Sequence, residues 1–344
     1  MSGSDETRLA VAASFLVREF LAVKPGEQMV ITCDTATDPR AVQAILEAGK
    51  VQKARVVVLT IPQLPFQGAL ADPFIAEPIG PALKSCDVWF DITFPYIAGS
   101  KVHAEAMALK RARCLQFHDL DAGGIARLFA GVDFNKLFDL QEAVDRIVNG
   151  STGKECRVTN AAGTDVTFKI GRPATRKIRR IDQPGTYTPP GSAVIYPEIE
   201  TVRGTIVIDA AFHEYFTLLR DQIKMKVDGP IREVSGGGTD LKVMDRALKR
   251  AGGGKYGSII HFSHGFHPAA RLHGGSFIES IRSPGCNAIG LGTPWWVPGG
   301  GENHPDGVVT MQSMWIDGQP IVKDGALALP ELAKLEAQLE PLPL

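Results

Sequence analysis

Residues 27–61 read EQMVITCDTATDPRAVQAILEAGKVQKARVVVLTI, and the order of patterns in this stretch decides the fold class. EQMVITCD is a short apolar run suited to a buried strand. PRAVQAILEAGKV then carries a helical period, and ARVVVLTI is a second strand-like run. Strand, helix and strand in succession predict a parallel pair joined by a crossover helix, the unit of an α/β domain. The first strand runs into TCDTATDPR, which has no glycine-rich turn to cradle a pyrophosphate, so a dinucleotide fold is excluded. DAGGIARLFAG near residue 122 has glycines but lacks the Lys-Ser/Thr of a phosphate loop.

Outward from this stretch the alternation continues. TRLAVAASFLVREFLAV carries a helical apolar stripe. CDVWFDI and RCLQFHD read as third and fourth strands, with HAEAMALKRA as a helix between them. Near residue 150 the character changes. VNGSTGKECRVTNAAGTDVTFKIG reads as short strands joined by Gly and Asn turns, and IKMKVDGPIREV and MWIDGQPIV are each two β-runs around Asp-Gly, a strong hairpin signal. One helix, TDLKVMDRALKRAG, interrupts them, and PELAKLEAQL closes the chain with a short one. A chain of 344 residues exceeds what one hydrophobic core usually serves. The expected architecture is an N-terminal α/β domain with a mostly parallel sheet (1–150), then a mostly antiparallel, β-rich (α+β) domain (151–344).

Composition narrows the functional classes. A formal net charge of -1 provides no basic field to attract nucleic acid or an anionic membrane. The five cysteines are scattered, with no CxxC pair, which points away from a disulfide framework or thiolate zinc site and towards a reducing compartment. The N-terminus, MSGSDETRLAVAASFL, is acidic where a signal peptide would be basic. No apolar run reaches spanning length. A soluble, cytoplasmic protein is expected.

The chemistry concentrates in IIHFSHGFHPAARLH, residues 259–273, which holds four of the eight histidines: His261, His264, His267 and His273. It follows the strand-like YGSIIHF, and loops leaving strand ends often carry function. Further on, GGGENHPDGVV places His304 and Asp306 at i and i+2. If extended, that pair points to one face, with Pro305 turned away. One more histidine gives two imidazoles and a carboxylate, the facial set that holds Fe(II) with open positions; Zn(II) takes the same donors. Spacing alone does not choose among His261, His264 and His267. The plainer reading is a surface turn beside a polar histidine loop.

HFSHGFHPAAR resembles the Glu-x-Gly-x-Gly-x-Asn-Pro motif of the thermophilic (M29-type) aminopeptidases. NAIGLG followed by NHPDGVV resembles their later metal-binding motif, and PPGSAVIYP their Pro-Ser-Gly-Glu-Val segment. The similarity runs roughly from Gly185 to Val322. Three ligand positions depart from that pattern: the glutamates read Ser192 and His261, and a histidine reads Ala288. What survives resembles the iron-dependent, ring-cleaving 2,5-dihydroxypyridine 5,6-dioxygenase branch of the same fold.

That resemblance implies one Fe(II) per chain held by His261, His304 and Asp306, and a small aromatic substrate opened with O2. A nearby imidazole would take the ring-hydroxyl proton, with His103 and His264 as candidates. Tyr187, Ser192, His267 and Trp295 are candidate substrate contacts. Trp295 and Trp296 could stack on a flat ring or simply pack. The glycines at 299–301 would let backbone approach a ligand, and SGGGTD at 235–240 reads as a loop. A homo-oligomer, dimer or larger, is implied. The competing reading is a Zn(II) hydrolase of the aminopeptidase type, which needs a second metal or a glutamate base. Glu302 and Glu279 are the nearby glutamates.

Overall fold

The computed structural model describes residues 3–172, 181–212, 218–294, 297 and 304–339. They form two compact units. One holds the described residues up to 132 together with 181–189, and the other holds those of 133–172 and 190–339.

The first unit is built on a five-stranded parallel sheet. Its order is Arg55–Ile61, Gln28–Asp34, Val88–Ile92, Arg113–Gln116 and Gly185–Tyr187. Helices cover the sheet, so its central strands are apolar on both sides. All of Val88–Ile92 is buried, and Trp89 packs with Ile79, Leu83 and Ile97. Pro39–Val51 is the expected crossover helix, capped by the Asp38 side chain, which accepts from Arg40 N–H. The strand order reverses between Gln28–Asp34 and Val88–Ile92, where such sheets open a ligand crevice. At that point Asp34 is buried and held by backbone N–H groups. Its Oδ2 accepts from Phe94 N–H at 2.7 Å and its Oδ1 from Ala36 N–H at 2.8 Å, while Thr37 Oγ1 donates to the Ile92 carbonyl at 2.9 Å.

The second unit holds two antiparallel sheets. The larger has eight strands, in the order Ile231–Gly236, Ile223–Asp228, Arg203–Ile208, Asp165–Lys169, Glu155–Thr159, Ser313–Ile316, Gln319–Lys323 and Ala326–Leu327. Both Asp-Gly sites are hairpin turns. Asp317 and Gly318 have φ of 47° and 79°, the left-handed pair that a tight hairpin requires. The smaller sheet has five strands, in the order Ala211–Phe212, Asp306–Val309, Asn287–Gly292, Ser258–Gly265 and Ser192–Ile195. Phe168 of the larger sheet stacks on Phe262 of the smaller, with centroids 4.4 Å apart and planes 5° from parallel.

Two features depart from the expected division. The change of character near residue 150 marks the first β-run, but the compact unit begins earlier, at Asp133. The helix Phe134–Asn149 buries Leu137, Leu140, Val144 and Val148 and packs on Ser192–Ile195 and on the helix Pro330–Glu336, so it belongs with the sheets that follow it. Conversely, Gly185–Tyr187 returns to extend the parallel sheet of the first unit. Three residues in a Pro-Gly-rich segment carry too little periodicity to announce a strand.

Candidate metal centre

His261 lies within the buried strand Ser258–Gly265, not at its end. Its partner across the sheet is Gly290, and Gly290 is also the partner of Asp306 on the other side. His261, Gly290 and Asp306 therefore form one row across three neighbouring strands. Asp306 opens the strand Asp306–Val309, and His304 precedes it by two residues, as the i, i+2 reading expects of an extended segment.

The central position of the row has no side chain, so the two flanking groups lean together over it. His261 Nε2 lies 3.1 Å from Asp306 Oδ1, and His304 Nε2 lies 3.5 Å from the same oxygen. The two imidazoles meet edge to face, with centroids 5.2 Å apart and planes at 79°. One donor atom from each of the three residues lies within 4.8 Å of the others, and this is the one such group of His, Cys, Asp and Glu among the described residues. A Cβ on Gly290 would sit 2.7 Å from His304 Nε2 and closer still to His261 Nε2. Gly290 is the floor of the cluster. Sequence reasoning missed it, although a glycine inside a fully buried strand signals close approach by another group.

The donor set fits a divalent cation. Two imidazole nitrogens and a carboxylate oxygen converge from one side while their side chains stay only 9–13% exposed. Two histidines and one carboxylate on one face leave the opposite face for further ligands. Tyr196, buried at 8% exposure, presents its ring at 74° to that of His261, with centroids 6.4 Å apart.

The other sequence candidates fall elsewhere. His264 is three residues along the strand from His261 and so projects from its opposite face. It is 2% exposed, accepts from Gln312 Nε2 at 3.1 Å, and burial pushes its pKa down to about 4. His267 is 1% exposed and lies under Gly191, and its Nδ1 accepts from Ala269 N–H at 3.3 Å; that is the position of a packed turn residue. Ser192 pairs with Gly265 at the edge of the smaller sheet and is half-buried. Tyr187 belongs to the first unit, where its hydroxyl donates to the Gln183 carbonyl at 2.9 Å.

His103 also belongs to the first unit, on the helix Lys101–Ala108. Its Nδ1 accepts from Gly99 N–H at 3.3 Å, which leaves the proton on Nε2 to donate to Thr186 Oγ1 at 2.9 Å. Burial pushes its pKa down to about 4. Trp295, Trp296, Glu302 and the glycines at 299–301 lie outside the described residues.

The hydrolase reading needs a second metal or a glutamate base. Glu279 is fully buried and engaged with His273. Gly275 N–H donates to His273 Nδ1 at 2.9 Å, so His273 Nε2 carries the proton and donates to Glu279 Oε2 at 3.0 Å. At the two other departures from the aminopeptidase pattern stand a hydroxyl, Ser192, and a methyl, Ala288, which is 1% exposed.

Known proteins share this fold. Among solved structures, the chain is similar to 2,5-dihydroxypyridine dioxygenase from Pseudomonas putida KT2440, with a TM-score of 0.75 and 18% identity over 95% of this chain and 99% of that one. It is also similar to wild-type AmpT from Thermus thermophilus, with a TM-score of 0.65 and 14% identity over 94% of this chain and 100% of that one. At these identities the likeness establishes the fold. No curated protein sequence matches significantly. The sequence profile of the 2,5-dihydroxypyridine 5,6-dioxygenase (NicX) family matches residues 17–329, nearly the whole chain, and the protein therefore belongs to that family of ring-cleaving oxygenases.

Proposed function

We propose that the protein is an Fe(II)-dependent, extradiol-type dioxygenase that opens the ring of 2,5-dihydroxypyridine with O2 to give N-formylmaleamate. The observation that carries this reading is the convergence of His261, His304 and Asp306 over Gly290. These three residues would hold one Fe(II) per chain. When bound, the metal supplies open positions for the ring hydroxyl and O2 together with the one-electron chemistry that the organic groups of a protein lack. The chain's own part is to fix the three donors on one face and to shield them from bulk water. Ser192, half-buried on the edge strand of the same sheet, would offer a hydroxyl to the substrate. In this reading the enzyme works in the cytoplasm as a homo-oligomer. No helix among the described residues is long and apolar enough to cross a membrane.

The deciding experiment measures iron content and O2 consumption in one anaerobically purified sample offered 2,5-dihydroxypyridine. About one iron per chain, with O2 uptake coupled to loss of the ring absorbance, is expected for a facial site of this kind. Two zinc ions per chain, or peptide hydrolysis without O2 uptake, would overturn the proposal.

A further inference from the structure

The backbone ladder between Ser258–Gly265 and Asn287–Gly292 has its last pair at His261 and Gly290. Beyond that pair, side chains bridge the two strands as far as Gly265, whose N–H donates to the Cys286 carbonyl at 2.8 Å. Ser263 N–H donates to Asn287 Oδ1 at 2.7 Å, and Ser263 Oγ accepts from Ala288 N–H at 2.8 Å. Asn287 Nδ2 donates to Gln312 Oε1. Gln312 Nε2 donates in turn to the Ser263 carbonyl at 2.9 Å and to His264 Nδ1 at 3.1 Å. Asn287 and Gln312 are fully buried, and Ser263 and His264 are 3% and 2% exposed.

Backbone groups orient every member of this network. The Ser263 N–H can only donate, so Asn287 must present its oxygen to it. The Ser263 carbonyl can only accept, so Gln312 must present its nitrogen. The second hydrogen of that nitrogen meets His264 Nδ1, which is therefore an acceptor with the ring proton on Nε2. A protonated ring would set N–H against N–H. The network joins the strand of His261, the strand of Gly290, and the turn that follows the strand of Asp306. These are the three strands whose spacing sets the distance between His261 and Asp306.

We propose that His264 is a positioning residue of the metal centre: as a hydrogen-bond acceptor, it terminates a buried network that locks the three strands across which the metal ligands sit. This inference rests on the metal-centre reading above. It gives His264 a role other than that of proton acceptor.

Two variants of the full-length protein separate the roles. In His264→Asn the amide oxygen replaces Nδ1 as acceptor, and no imidazole remains. In His264→Leu the acceptor is lost. Co(II) serves as the probe, titrated without substrate and followed by its visible absorption, and turnover is measured on the iron-loaded enzyme. His264→Asn is expected to match wild type in Co(II) affinity, spectrum and kcat. His264→Leu is expected to bind Co(II) about 10–100-fold more weakly, the usual cost of losing an outer partner of a metal site, and with shifted bands. Should the leucine variant not fold, Gln312→Glu carries the same expectation, because it replaces both donors with acceptors. A leucine variant with wild-type affinity and spectrum would overturn the proposal. So would an asparagine variant that binds Co(II) normally but has lost turnover, since His264 would then be the base. Failure of the wild-type protein itself to take up Co(II) would instead refute the metal centre, and this inference with it.

Discussion

Gly290→Ala is expected to abolish metal binding and turnover while the protein stays folded. The added methyl would overlap both His261 Nε2 and His304 Nε2, the two nitrogens that face Asp306. Gly290 is buried in the middle strand of three, so its backbone cannot retreat without breaking the pairing to His261 on one side and Asp306 on the other. The imidazoles must move instead. Overpacking of this kind costs about 1–3 kcal/mol of stability, which a domain of ordinary stability survives. The centre does not survive it, because the donors can no longer converge on one point. Metal affinity should fall by more than about 100-fold, beyond the range seen when only an outer partner is lost. Equilibrium dialysis against Fe(II) or Co(II), with far-ultraviolet circular dichroism as a check of folding, measures this directly. A folded Gly290→Ala protein that keeps its iron would show that the cation lies elsewhere.

Asp306→Asn is the second large effect. It keeps the size of the side chain and removes its charge, so packing alone cannot explain the outcome. The carboxylate oxygen is the shared neighbour of both imidazole nitrogens, and its loss leaves two neutral donors for a divalent cation. Iron content is expected to fall to a small fraction of wild type, and O2 uptake to vanish with it. His261→Ala should do the same. A thermodynamic readout accompanies the loss. A ligand that binds only the folded state at about 100 times its Kd stabilises it by about 2.7 kcal/mol. Added Co(II) should therefore raise the melting temperature of the wild-type protein and leave that of Asp306→Asn unmoved. An equal rise in both proteins would remove Asp306 from the ligand set.

Much of this was legible in the sequence because its signals are local. Apolar runs and helical periods announced the parallel sheet, Asp317-Gly318 announced a hairpin, and the i, i+2 spacing placed His304 and Asp306 on one face. What escaped depends on partners distant in the chain. The helix Phe134–Asn149 has an apolar face whichever unit it joins; only its packing on Ser192–Ile195 and Pro330–Glu336 assigns it. The histidine segment reads as a strand ending in a loop, so its sequence leaves the direction of each imidazole open. The strand in fact runs on to Gly265, and strand alternation then separates His264 from His261. Gly290 is hard to single out because its importance lies in two registers at once.

The row His261–Gly290–Asp306 makes the centre a reporter of how the sheet was zipped. A slip of one residue between neighbouring strands turns every side chain of the slipped strand to the other face. If Asp306–Val309 slipped by one against Asn287–Gly292, Asp306 would be carried to the opposite side of the sheet from His261, and no cation could bridge them. On the function proposed above, only the correctly registered chain would take up metal, and by mass action metal would draw the folding population towards that register. The cation would thus proofread assembly before taking part in any chemistry.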